Sequence, residues 1–266
     1  MLNYIKSECY RTLHSRSTYV MTGILVILPI LFHVILYVTG AATAAEADFP
    51  YDNTSFSFSF LVSSPMVFAY AGLIVAGTLY EDERKNGNLK NTVAFGISRE
   101  KIFVGKCVTA VLLASVLMAV TLCAYIVSAW LLLEHTGPTT LQILLTEIPA
   151  VYGIAVAYMI LGIVLLSYFQ NQIIATALWM ATIQVIPGIL LLAGMFLLGR
   201  WNIGFLWEFA QLLPANLFQY GIDVNRSHCE VLWQTSQGMT TCIAVGAVGI
   251  VISLVLGLGM LRKKEV

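Results

Sequence analysis

The chain has 266 residues, of which 59% are hydrophobic and only 11% are charged, and its formal net charge is zero. A soluble domain usually carries about a quarter of charged residues, so this composition excludes an ordinary soluble protein and predicts one that lies in lipid. The lack of a net positive charge also argues against a nucleic-acid partner.

Residues 1–18 are predicted to form an amphipathic helix that lies in the membrane interface. Leu2, Ile5, Cys9 and Leu13 fall near one helical face, and basic side chains elsewhere in the segment can meet lipid headgroups. A cytosolic tail with accidental periodicity is the alternative.

Six apolar runs are long enough to cross a hydrocarbon core of about 30 Å. The predicted transmembrane helices cover residues 19–40, 59–80, 102–133, 149–168, 173–198 and 239–261. A signal peptide is the alternative for the first run, which follows a basic leader. Its apolar stretch is longer than the roughly 7–15 residues typical of a cleaved signal, which favours an uncleaved span.

The distribution of Lys and Arg predicts the orientation in the membrane. Of the 14 basic residues, 12 lie before the first span, in or beside the segment between spans two and three, or after the last span. Only Arg200 and Arg226 lie elsewhere. Both termini are therefore predicted to be cytoplasmic.

The longest outer segment, residues 199–238, is apolar and aromatic rather than simply polar. Its central part reads FLWEFAQLLPANLFQY (205–220), with Pro214 near the middle. This pattern predicts two short re-entrant helices between spans five and six, joined near Pro214 and dipping into the outer leaflet. A surface amphipathic helix is the alternative.

A few polar residues in the spans are candidates for lining a substrate route. They are Ser63 and Ser64 in the second span and Gln184 in the fifth. Satisfied helix–helix contacts are the alternative for all three. Pro187-Gly188 is expected to kink the fifth span.

The last span carries small residues at helical spacing, Gly249, Ser253 and Gly257. Such a stripe lets another helix approach closely. Packing within one subunit is favoured over a dimer contact.

No motif for catalysis, metal binding or nucleotide binding is present, so no catalytic, cofactor or metal site is predicted. A phosphate-binding loop ending in VGK (104–106) would need glycine where Glu100 stands. Of the four His, only His33 falls in a span, where hydrogen bonding inside the bundle is expected. A disulfide between Cys229 and Cys242 is left open. The predicted spans contain no central Asp or Glu, which argues against an ion-coupled carrier.

The segment YEDERKNGNLKNTVAFGISREK (80–101) holds nine of the 28 charged residues. Asn86-Gly87 is expected to end the preceding helix, residues 88–96 to form a short helix, and Ser98 to cap the next one. This arrangement favours a folded docking element that inserts into a groove on a partner. A solvated loop rich in bases for topological reasons is the alternative.

The pattern E-x-x-x-G-x-L-K-x-x-x-x-x-G-I-S-R-x-K-I-x-x-x-K, from Glu83 through Lys106, resembles the loop of type-2 ATP-binding cassette (ABC) transporter permeases. In that family the loop carries the coupling helix that docks on the ATPase subunit. LLPANLF (212–218) also looks like the outer segment of the family. The resemblance assigns ATPase coupling to Glu83, Gly87, Leu89, Lys90, Thr92, Val93, Phe95, Ser98 and Arg99.

The resemblance implies an all-α permease subunit in a bacterial plasma membrane, without a cofactor of its own. Two copies of an ABC ATPase subunit would hold ATP and Mg²⁺, and a second permease copy, identical or homologous, would complete the transporter. The overall shape is similar to permeases for antimicrobial-peptide export or immunity, which implies an amphipathic or hydrophobic substrate. A non-transporting sensor or immunity partner and a secondary carrier are the alternatives.

Overall fold

The computed structural model describes residues 2–43, 51–86, 98–169, 171–225 and 227–263. The helices in these ranges are α1 (Leu2–Leu13), α2 (Arg16–Thr43), α3 (Thr54–Val62), α4 (Val67–Asn86), α5 (Arg99–Leu132), α6 (Leu141–Tyr168), α7 (Gln172–Met180), α8 (Ile186–Trp201), α9 (Phe205–Gln211), α10 (Pro214–Gly221) and α11 (Ser236–Lys263). Two short antiparallel strands, β1 (Ile222–Val224) and β2 (Cys229–Val231), lie between α10 and α11.

Five helical stretches are long and apolar enough to cross a membrane: α2, α5, α6, α7 continued by α8, and α11. Helices α3 and α4 together make a sixth candidate, although they meet at an angle of 67°. A helix satisfies its backbone hydrogen bonds internally, as the interior of a bilayer requires. The prediction of a helical multi-pass membrane protein is confirmed.

The second predicted span, residues 59–80, is bent in the structure. Helix α3 begins before it, where the Asn53 side chain accepts a hydrogen bond of 2.7 Å from the Phe56 amide. The chain then leaves helical geometry around Ser64 and Pro65 before α4 begins. Proline has no amide hydrogen and disfavours helical geometry in the residue before it, which accounts for the break.

The fifth predicted span is irregular one turn earlier than expected. Helices α7 and α8 are joined by a π-helical turn, Ala181–Val185, which contains Gln184. Pro187 lies in the first turn of α8, where a missing amide hydrogen is tolerated. The helix is therefore distorted at this π-helical turn, just before Pro187-Gly188, where the sequence predicts a kink.

The segment after α8 contains the predicted pair of short helices. Asn202 ends α8 in the left-handed conformation, with a φ of 56°. Such a residue commonly terminates a helix. Helices α9 and α10 follow, and Pro214 is the first residue of α10. The β1–β2 hairpin that comes next was not predicted.

Two close contacts fold this segment back onto α8. A Cβ added at Gly194 in α8 would lie 2.7 Å from the Trp207 Cα and amide nitrogen, so α9 packs backbone to backbone on α8. The buried Asn216 amide in α10 donates to the carbonyl oxygens of Pro187, at 2.9 Å, and Ala210, at 2.8 Å. One side chain thus ties together α8, α9 and α10.

The centre of the bundle is the contact between α6 and α11. A Cβ added at Gly246 would lie 2.8 Å from the carbonyl carbon of Gly153 and 2.9 Å from the Ile154 amide nitrogen. Glycine at position 246 allows the two backbones to approach this closely. This contact places α6 in the interior.

The small-residue stripe of α11 packs inside the same subunit. A Cβ added at Gly249 would lie 3.0 Å from the Ala157 Cβ, and one at Gly257 would lie 2.7 Å from Val164 Cγ2. Ser253 between them is buried. The favoured prediction, packing within one subunit, is confirmed.

The bundle has two distinct ends, the α1 end and the hairpin end. At the α1 end, α1 packs on the start of α5. At the hairpin end, the start of α6, the β1–β2 hairpin and the start of α11 share one apolar core that includes Leu144, Val231, Trp233 and Cys242.

Candidate functional site

Three of the residues assigned to ATPase coupling fall within the described part of the chain, near the end of α4 or at the start of α5. Glu83 is in the last turns of α4 and Arg99 begins α5. Ser98 occupies the predicted N-cap position with an extended backbone, but its hydroxyl makes no capping hydrogen bond. The other coupling residues, Gly87, Leu89, Lys90, Thr92, Val93 and Phe95, lie outside the described residues. Their role stays a prediction.

Helix α1 packs on the first turns of α5. The Tyr4 ring lies over Gly105, where an added Cβ would come within 2.7 Å of ring carbons. The Cys9 thiol donates a long hydrogen bond of 3.9 Å to Thr109 Oγ1. The apolar face of α1 therefore contacts the first turns of α5.

Charged groups surround the contact between α1 and α5. The Arg11 guanidinium forms an ion pair with the Glu8 carboxylate, with 2.6 Å between Nη2 and Oε2. Lys106 of α5 is buried rather than extended toward a membrane surface, and its charge interacts with that of Glu8. Burial, and secondarily the Glu8 carboxylate, raise the pKa of Tyr4, so its hydroxyl stays protonated.

A buried polar cluster ties α2 to α3 and α5 toward the hairpin end. The two ring nitrogens of His33 are each 2.7 Å from a serine oxygen, Nδ1 from Ser128 Oγ and Nε2 from Ser57 Oγ. The Tyr125 hydroxyl donates to the Ser57 carbonyl oxygen at 2.6 Å. The prediction that His33 is hydrogen-bonded inside the bundle is confirmed.

Glu147 precedes the predicted fourth span, 149–168, and is therefore expected in the loop before it, but the structure places it in a helix. It lies inside α6, is 1% exposed, and neither carboxyl oxygen has a hydrogen-bond partner among the described residues. The expectation of spans without a buried carboxylate is therefore wrong at this position. The sequence signal was the cap Thr140 followed at once by an apolar run, which starts the helix well before Pro149.

An apolar cavity of about 400 Å³ lies between α2, α3, α4, α5 and α6. Each of these helices contributes lining side chains, for example Leu25 and Pro29 of α2, Phe68 of α4, Met118 of α5 and Val156 of α6. No charged side chain is among the described residues that line it. Nothing in the sequence pattern pointed to this space, because its walls come from helices distant in the chain.

A second, polar pocket of about 340 Å³ lies at the hairpin end. Hydroxyl and amide side chains line it: Asn53, Ser55, Ser59, Ser63 and Asn225. The described lining residues include no charged group. Of the three candidate route residues, Ser63 lines this pocket, whereas Ser64 and Gln184 are exposed and line neither cavity.

Hydrogen bonds to the next loop fix the walls of the polar pocket. Ser55 Oγ accepts from the Thr139 amide at 2.9 Å, and the Ser59 and Thr139 hydroxyls are 2.7 Å apart. The loop residue Gly137, which also lines the pocket, has a φ of +104°. A side chain there would be strained and would meet Ser55.

The cysteines carry no visible chemistry. Cys229 and Cys242 are both free thiols, so they form no disulfide in this structure. Burial raises the pKa of the Cys229 thiol, which disfavours the reactive thiolate. Within the described ranges, no group of three or more His, Cys, Asp or Glu could hold a metal ion.

The sequence matches a known protein family. A family model described as "ABC-2 family transporter protein" matches residues 4–188, well over half of the chain. The matched region runs from α1 into the start of α8 and includes the charged segment between α4 and α5. No curated protein matches the chain significantly.

Proposed function

The chain belongs to the ABC-2 family of transporter proteins, and we propose that it is the permease subunit through which a separate ATPase drives the export of an amphipathic or hydrophobic molecule. The family match carries this proposal, since it extends over α1, the first four candidate spans and the charged segment between α4 and α5. The chain itself is a multi-pass membrane protein.

The proposed orientation places the α1 end in the bacterial cytoplasm. Basic residues cluster before α2, between α4 and α5, and after α11, as expected for the cytoplasmic side. Helix α1 then lies in the inner interface, and both termini are cytoplasmic. Helices α9 and α10, which fold back against α8, then re-enter the outer leaflet.

The proposed coupling element is the segment 88–96. Two ATPase subunits, which hold ATP and Mg²⁺, would dock on this segment in each of two permease copies. In the sequence, α4 ends just before this segment and α5 begins just after it, and α1 packs on the first turns of α5. A push on the segment would therefore reach α4, α5 and α1 together.

The proposed substrate is amphipathic or hydrophobic, such as an antimicrobial peptide or a drug. The two cavities support this choice because no charged side chain is among their described lining residues. A route between two permease copies would pass the exposed side chains of Ser63, Ser64 and Gln184.

Transport in sealed vesicles tests the proposal. The full chain and the ABC ATPase encoded beside it are reconstituted, and movement of a fluorescently labelled cationic amphipathic peptide is followed. We expect transport that requires ATP hydrolysis and stops when the ATPase is omitted. A chain that binds the peptide without moving it would be a sensor or immunity partner, which contradicts the proposal.

One observation favours a second candidate, a carrier driven by an ion gradient. Buried carboxyl groups inside membrane helices commonly take part in ion or proton movement, and Glu147 is such a group. Transport that survives ATP depletion, collapses with the proton gradient and is lost in Glu147→Gln would support the carrier and contradict the ABC proposal.

A further inference from the structure

The apolar cavity and the polar pocket meet at one residue. Phe60 of α3 lines both spaces. Phe60 is 54% exposed, and the centroid of its ring lies 5.4 Å from that of Phe32, which lines the apolar cavity only. The two spaces therefore adjoin and differ in polarity.

The apolar cavity has the shape of an acyl-chain site. Its wall on α5 runs from Val111 to Tyr125, which is about 21 Å at 1.5 Å per residue. The hydrocarbon of one leaflet is about 15 Å thick, half of the bilayer core. A lipid tail that lies along the helices would therefore fit lengthwise.

The apolar cavity reaches the outer surface of the bundle. Leu28, Phe60 and Val67 line it and are 57%, 54% and 41% exposed. These residues belong to α2, α3 and α4, which are candidate spans, so the surrounding medium is the bilayer. The Ser115 and Tyr152 hydroxyls that line it are 2.8 Å apart and bond to each other. The other described lining residues are almost all apolar, which favours an apolar occupant.

The lining of the polar pocket indicates which lipid headgroup would fit there. Its described walls combine apolar and aromatic surface with the exposed polar side chains of Ser63 and Asn225, and none of the described lining residues is charged. Sites of this kind orient a ligand through a few polar contacts beside aromatic surface. An uncharged headgroup rich in hydroxyls fits this lining better than an anionic one does.

We propose that the two spaces together bind one membrane lipid, with a tail in the apolar cavity and an uncharged, hydroxyl-bearing headgroup in the polar pocket. The lipid enters from the bilayer past Phe60. This site lies within a single chain and does not depend on the proposed export function.

Photolabelling of the full chain in phosphatidylcholine nanodiscs tests this site. The probe is monoglucosyl diacylglycerol with a diazirine in one tail, and the matched probe is phosphatidylglycerol with the same tail. We expect saturable labelling of peptides from residues 111–125 and 67–75 by the glucolipid. Unlabelled glucolipid should compete about tenfold better than unlabelled phosphatidylglycerol.

Two pairs of variants localise the labelling. Ala114→Phe fills the apolar cavity and should lower labelling about tenfold, whereas Ala119→Phe on the same helix lines neither space and should leave it unchanged. Ser63→Leu should remove the preference for the glucolipid, whereas the neighbouring Ser64→Leu should keep it. The expected labelling is the same with or without an ATPase.

Three results would overturn the proposal. They are equal competition by phosphatidylglycerol in the unmodified chain, labelling confined to the outer faces of α2 and α8, and equal labelling of Ala114→Phe and Ala119→Phe. The competition result needs no variant, so it decides the question even if Ala114→Phe fails to fold.

Discussion

Helices α2 and α6 are both 28 residues long, both contain a proline, and both are apolar enough to cross a membrane. In the most apolar stretch of α6, 61% of the residues are buried inside the protein. In the corresponding stretch of α2, only 17% are buried. Similar apolar length therefore produces one central helix and one peripheral helix.

Small and polar residues explain the difference. Helix α6 offers Gly153 and Ala157 to α11, and close backbone approach places it in the interior. Helix α2 presents large side chains such as Ile24, Leu31 and Ile35 outward. It is fixed in the bundle by a buried polar residue, His33.

Substitution of the central contact should have the largest effect. Gly246→Leu forces a side chain against the backbone of Gly153 and Ile154, which cannot yield as a flexible side chain would. Overpacking of this kind costs about 3 kcal/mol. The thermal unfolding midpoint of the full chain in detergent measures it.

The control lies on the peripheral helix. Nothing lies within 4 Å of a Cβ added at Gly23 in α2, so Gly23→Leu should leave the midpoint nearly unchanged. Equal losses in the two variants would contradict the distinction between α6 and α2.

The polar anchor of α2 should come next. His33→Leu removes two hydrogen bonds and leaves Ser57 and Ser128 in the interior without this partner. The expected loss of stability is about 2 kcal/mol, measured by thermal unfolding. Tyr37→Leu, on the same helix but 52% exposed, should cost much less. If both variants unfold alike, His33 is not the anchor.

Glu147 should show an effect of opposite sign. Glu147→Leu replaces a buried carboxyl group that has no hydrogen-bond partner among the described residues. Removing an unsatisfied buried polar group should stabilise the fold by about 1 kcal/mol. Glu134→Leu, at an exposed position, is the control. A loss of stability specific to Glu147→Leu would mean that the carboxyl group has a stabilising partner.

The smallest effect is expected at the α1 end. Arg11→Gln removes the ion pair with Glu8, which is partly exposed, and leaves the interaction of Glu8 with buried Lys106 in place. Such a pair contributes less than about 1 kcal/mol and is weakened by salt. The difference in unfolding midpoint from the unmodified chain should therefore shrink as salt is added. A large difference that is independent of salt would instead indicate a buried role for Arg11.

Apolar length was sufficient to predict the helical membrane fold, because a bilayer sets a minimum length for each span. Apolar length alone does not predict the bend in the second span, because residues 59–80 are long and apolar enough for one straight helix, although Ser64-Pro65 marks the break. A fourth span that starts at Pro149 leaves Glu147 in the preceding loop. The helix instead begins with the cap at Thr140, so Glu147 lies inside it.

Other features depend on contacts between distant parts of the chain. The polar pocket joins α3 to the loop at Thr139 and to Asn225 through folding alone. The central position of α6 depends on glycine in α11. Neither the walls of the polar pocket nor the central position of α6 can be predicted from the spacing of residues within one helix.

The central claim is that the segment 88–96 couples this permease to an ATPase. The most direct measurement is the ATP hydrolysis rate and co-purification of the adjacent ABC ATPase with the full chain in a bilayer. We expect Leu89→Asp combined with Val93→Asp to abolish both, while the conservative exchange Leu89→Val with Val93→Leu retains them. If the aspartate variant still binds the ATPase and supports hydrolysis at the unmodified rate, the coupling assignment is wrong.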